Sequence, residues 1–90
     1  MMKPEEMMLI SAVRYALGRR SYIVPETCNF VASVKDKLSQ HCIDIIIRDI
    51  EEGFEMYHRS GHLMGMECDE ADWRVLLRRL KEGNGNGNDG

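Results

Sequence analysis

The sequence predicts an all-α protein, a compact bundle of four helices with a short extended linker at 21–24. Three observations predict it. Apolar residues recur at i, i+3, i+4 spacing in four separate stretches. Residues that start and stop helices stand between those stretches. The one β-prone segment, Ser21-Tyr22-Ile23-Val24, has no second strand to pair with. The chain has 90 residues, enough for one domain with a thin core. We read residues 1–83 as that domain and 84–90 as a flexible Gly/Asn tail.

The first helix is expected from Pro4 to Leu17. Proline suits the first turn, where its missing N–H is not needed, and Glu5 and Glu6 favour the positive end of the helix dipole. Leu9, Ile10, Val13, Ala16 and Leu17 share one face. Gly18 is placed to close the helix in the left-handed conformation. Pro25 disfavours helix at Val24, so residues 21–24 read as extended. A second helix is expected from Pro25 to about Leu38, with Phe30, Val31, Val34 and Leu38 as its apolar stripe.

Ser39 reads as the N-cap of a third helix, its hydroxyl accepting a free backbone N–H. Ile43, Ile46, Ile47, Ile50, Phe54 and Tyr57 give this helix the clearest stripe in the chain. Asp44, Arg48, Glu51, Glu52, Glu55 and Arg59 fall on its other side. Asp44–Arg48 and Glu55–Arg59 have the favourable i,i+4 order. Gly53 lies inside the helix and Gly61 ends it. His62 to Cys68 reads as a loop. Asp69 then caps a fourth helix lined by Trp73, Leu76, Leu77 and Leu80, which Gly83 stops. The expected core is Leu17, Ile43, Ile46, Ile50, Phe54, Trp73, Leu76, Leu77 and Leu80.

The net charge is −3, with +2 over residues 1–42 and −5 over residues 43–90. An acidic chain does not favour general nucleic-acid binding, which needs cations against phosphates. The three cysteines, Cys28, Cys42 and Cys68, have no paired spacing and suggest no disulfide framework. The polar opening Met1 to Glu6 does not read as a leader, and no apolar run approaches the ~20 residues of a membrane span. The expected location is the reduced cytoplasm of a bacterial host cell, with no membrane partner.

No catalytic or metal signature stands out. His58 and His62 are four apart, but Gly61 breaks the helix between them, and no closed set of four ligands is available for zinc. His41 and Cys42 are adjacent, which points their side chains about 100° apart on a helix and denies the thiol a base. Gly18-Arg19-Arg20-Ser21 lacks the glycine spacing of a phosphate loop and sits at the wrong end of a helix dipole for an anion. We therefore expect no enzyme, no cofactor and no metal. Arg14, Arg19 and Arg20 are the candidate basic patch for a nucleic acid. Glu51, Glu52 and Glu55 on the third helix, with Met64 and Met66, are the candidate partner-binding surface. Acidic fields steer a protein toward basic grooves, and flexible thioethers adapt to varied surfaces.

Two stretches carry a resemblance. Ala12-Val13-Arg14-Tyr15-Ala16-Leu17-Gly18-Arg19-Arg20-Ser21-Tyr22-Ile23-Val24 resembles the opening of a family of short proteins carried by phages and mobile elements of Gram-positive bacteria. Glu67-Cys68-Asp69-Glu70-Ala71-Asp72-Trp73, followed by Leu76 and Leu77, resembles that family's C-terminal signature. Ile47 to Glu52 fits between them, so the resemblance spans roughly residues 11–80. The family has no established activity and assigns no catalytic roles. It implies a setting in which compact accessory proteins bind a host protein, inhibitors of CRISPR effectors being one class. The resemblance and the acidic late half together favour a non-enzymatic protein-binding module, in its specific form an anti-CRISPR inhibitor. The alternatives are a small nucleic-acid-associated regulator using the arginines and a homodimeric structural or assembly factor.

Overall fold

The fold is an all-α bundle of four helices, seen in a computed structural model. It describes residues 2–18, 23–60 and 64–85, with the backbone alone at residues 23, 57, 58, 60, 64–69 and 83–85. α1 spans Pro4–Leu17, α2 Ile23–Val34, α3 Gln40–Ser60 and α4 Met64–Gly85, with a single 3-10 turn at Lys35–Lys37 after α2. In cross-section the helices follow the order α1, α2, α4, α3, each packed against the next and α3 against α1. α1 and α4 also meet across the bundle.

α1 matches its expected bounds, and all five stripe residues from Leu9 to Leu17 are buried. Its end differs in detail. Gly18 has φ −95°, outside the left-handed region, and closes the helix by donating its N–H to the Tyr15 carbonyl at 3.2 Å. A methyl group at Gly18 would lie 3.8 Å from that carbonyl oxygen, an ordinary contact. Glycine is therefore not required there.

α2 is the element that departs furthest from expectation. Ile23 and Val24 are helical, so the extended linker at 21–24 does not hold for its second half; residues 21 and 22 lie outside the described residues. Starting the helix two residues early makes Pro25 a first-turn residue, where its missing N–H is tolerated. It also sets a new inward stripe, Val24, Cys28 and Val31, spaced by four and three residues and all buried. Phe30, one step round the helix from Val31, is turned out and 57% exposed. The expected stripe was thus right at Val31 and wrong at Phe30, with Val34 and Leu38 partly buried against the core. The helix ends as a 3-10 turn over the polar residues Lys35, Asp36 and Lys37.

α3 agrees with the sequence. Ser39 caps it, its hydroxyl accepting the Cys42 N–H at 3.2 Å. Ile43, Ile46, Ile50 and Phe54 are buried, as is Gly53; Ile47 is partly buried, the Tyr57 side chain lies outside the described residues, and the six charged residues of the outer stripe are exposed. Glu55 pairs with Arg59 at 3.3 Å. Asp44, instead of meeting Arg48, accepts a hydrogen bond from Gln40 at 2.8 Å.

α4 begins earlier than expected. Met64 to Cys68 is helix, not loop, and Asp69 lies inside it. Met64, Met66 and Glu67 are good helix formers, and the helix continues upstream past the aspartate that was read as its cap despite Gly65. The helix also passes Gly83 and ends at Gly85, so the first two residues of the expected tail are helical and the rest lie outside the described residues. Trp73, Leu76 and Leu80 are fully buried and Leu77 partly so. One continuous core results, with the expected residues joined by Val13, Ala16, Val24, Cys28, Val31 and Cys42.

Candidate protein-binding site

Four consecutive apolar residues, Met7 to Ile10, open α1. Each step turns a helix by 100°, so four cannot all face one core. Leu9 and Ile10 point inward, while Met7 and Met8 are 57% and 73% exposed. Met8 and Ala12, four apart, share a flank of α1 with Glu5. Across from them stands Phe30 of α2, turned out by the Val24–Cys28–Val31 register. Between the two flanks lies an apolar groove.

The groove has two hollows. One, of about 470 Å³, runs from Met8 and Ala12 on α1 to Glu26, Thr27 and Phe30 on α2. The other, of about 290 Å³, continues toward Lys3, Val34, Lys37 and Leu38. Glu5, Leu9 and Phe30 line both, so the groove is continuous and Phe30 stands at its centre. Glu26 marks one end and Lys3 and Lys37 the other. No described residue of α3 or α4 lines it. A third hollow of about 300 Å³, between α2 and α4, is more polar, with Asn29, Ser33, Asp72 and Arg79 around buried Cys28.

One buried carboxylate fixes this region. Glu6, on the first turn of α1, is enclosed among the helix starts. Its oxygens accept the Ser39 N–H at 2.6 Å, the Ser39 hydroxyl at 3.2 Å and the Lys3 N–H at 3.3 Å. It closes the capping box of α1 and at the same time covers the N-cap amide of α3. The Ser39 amide above all holds this carboxyl below the usual carboxylate range; burial opposes, and the Lys3 amide and Ser39 hydroxyl add to the lowering.

The residues singled out in the sequence have varied surroundings. Glu51, Glu52 and Glu55 are exposed on α3. Glu51 is joined to Lys81 of α4 at 2.6 Å and Glu55 to Arg59, which leaves Glu52 as the member with no ion pair among the described residues. Met64 and Met66 belong to the start of α4, and their side chains lie outside the described residues. Arg14 is engaged within the fold, its Nε donating to Asp49 Oδ2 at 2.7 Å and a terminal nitrogen to Oδ1 at 3.5 Å. That hydrogen bond and the Asp49 charge raise the guanidinium's pKa. Arg19 and Arg20, the other two members of the expected basic patch, lie outside the described residues.

No sequence pattern singled out Arg74, whose guanidinium lies over the Phe54 ring, 4.5 Å from its centre, while pairing with Glu70. His41 is exposed and Cys42 buried, as their adjacency predicts. Burial and the nearby Glu6 charge push the Cys42 thiol up to about 11, so it is a packing group and not a ready thiolate. No three potential metal ligands gather among the described residues, and no helix among them is long and apolar enough to cross a membrane. His58, His62 and Cys68 have side chains outside the described residues. Set beside known proteins, the chain matches no family model, no curated protein and no solved structure.

Proposed function

We propose that this chain is a non-enzymatic protein-binding module. The observation that supports it is the α1–α2 groove, where Met8 and Phe30 stand exposed beside apolar hollows with Glu26, Lys3 and Lys37 at the ends. Exposed apolar surface of this kind, rimmed by charge, is the usual mark of a protein contact. Phe30 is its central anchor, and aromatic anchors beside a pocket tend to dominate binding energy.

The specific form of the proposal is an anti-defence inhibitor of a phage or mobile element, acting on a host nuclease effector such as a CRISPR nuclease. The resemblance of residues 12–24 and 67–73 motivates it. The exposed carboxylates Glu51, Glu52 and Glu55 give such an inhibitor a means of approaching a basic, nucleic-acid-binding groove. They lie on α3, outside the apolar groove, so the two surfaces are separable. The test uses purified CRISPR effectors of the source host, with binding and cleavage inhibition measured for wild type, Glu52→Lys and Phe30→Glu. The inhibitor reading expects binding that weakens at least tenfold in Glu52→Lys while the helical circular dichroism is unchanged. Absence of binding and inhibition for every effector removes that specific form.

A further inference from the structure

We infer that the occupant of the α1–α2 groove is a second copy of this chain, related by a two-fold axis. The inference rests on the groove being a protein contact and adds who fills it. A two-fold interface must be self-complementary, so one patch has to hold both projections and hollows, and both signs of charge. This patch does. Phe30 projects between two hollows of about 470 and 290 Å³, so a partner's Phe30 has a recess beside it. The charges are arranged to match. Glu26 lies at one end of the groove and Lys37 at the other, both exposed and neither in an ion pair among the described residues. An antiparallel copy sets each Glu26 against the other chain's Lys37, twice over. A parallel approach would place like charges together at both ends. A single amphipathic helix would use the apolar floor, but would have to bring its own matching charge pattern. This chain already carries it. Pairing here also leaves Glu51, Glu52 and Glu55 outside the contact, since no described residue of α3 lines the groove.

The test is solution mass by light scattering and sedimentation, across a dilution series. The wild-type chain is expected at twice its 10.4 kDa mass when concentrated, falling toward the single-chain mass on dilution. Phe30→Glu is expected to be monomeric with its helical circular dichroism intact. Glu26→Lys alone and Lys37→Glu alone each set like charges together and should weaken pairing at least tenfold. An equimolar mixture of those two variants restores both opposite-charge contacts and should pair again, as should the double variant. That rescue cannot come from misfolding. A wild-type chain of single mass at every concentration overturns the inference while leaving effector binding to be judged by its own assay. A dimer that survives Phe30→Glu and both reversals also overturns it, because the contact then lies elsewhere.

Discussion

Glu6 illustrates how one side chain can be hidden in the composition yet central to the fold. On the sequence it is a first-turn glutamate suited to a helix dipole. In the bundle it is enclosed, and all its strong partners are donors to a charged carboxylate. Its lowered pKa has a definite sign in stability. The contribution is complete above the unfolded-state pKa, about 4.3 for a glutamate, and is lost as pH falls through the lower folded-state value. We expect the wild-type melting temperature to fall on acidification through and below pH ~4. Glu6→Gln is expected to melt lower than wild type at neutral pH, with the gap narrowing in acid. A gap independent of pH would show that the carboxylate's charge is not what stabilises the joint. Trp73 is the opposite case. It is fully buried and its Nε1–H has no hydrogen-bond partner among the described residues, a cost of roughly 1–3 kcal/mol that its packing offsets.

At the scale of elements, α2 shows why a stripe depends on where its helix begins. Val31→Ala removes two methyl equivalents from a fully buried site and is expected to cost about 1.5 kcal/mol or more. Phe30→Ala, the larger truncation, is expected to cost under about 0.5 kcal/mol at dilutions where the chain is single, because the ring is outside. Urea denaturation of the two variants reads the difference directly, and the reverse order would return α2 to the register with Phe30 inside. The same comparison shows what was legible. α1 and α3 have caps and long stripes, so their bounds and buried faces followed from pattern alone. α2 has a proline at its third residue, which reads equally as a helix start and as a break before Val24. Tertiary packing of Val24 decided between them. In α4 the aspartate at 69 looked like a cap because local hydrogen-bonding residues mark starts, but the helix runs through it from Met64, with Met64, Met66 and Glu67 favouring helix against the cost of Gly65. The groove was only half visible. Four consecutive apolar residues at 7–10 announce that some face outward, whereas Phe30's exposure depends on a register the local pattern did not fix.

Over the whole molecule, each helix packs against at least two others around a single core, and charged side chains tie the outer edges. Arg14 joins α1 to Asp49 of α3, and Lys81 joins α4 to Glu51 of α3. The Lys81 pair is half-exposed, and such surface pairs contribute about 0–1 kcal/mol, so apolar burial and not charge holds the bundle. One core implies one transition. Trp73 is the chain's only tryptophan and sits within it, so its fluorescence and the far-ultraviolet helical signal are expected to change together in urea. Separate midpoints would mean that part of the bundle unfolds alone. The Glu6 joint carries a kinetic corollary. Ser39 and Glu6 are 33 residues apart, so the N-cap amide of α3 gains this acceptor only after α1 has docked. Deuterium uptake at the Ser39 amide therefore acts as a clock for detachment of the N-terminal helix, and trimming the residues before Glu6 would make that clock run faster while leaving the centre of α3 slow.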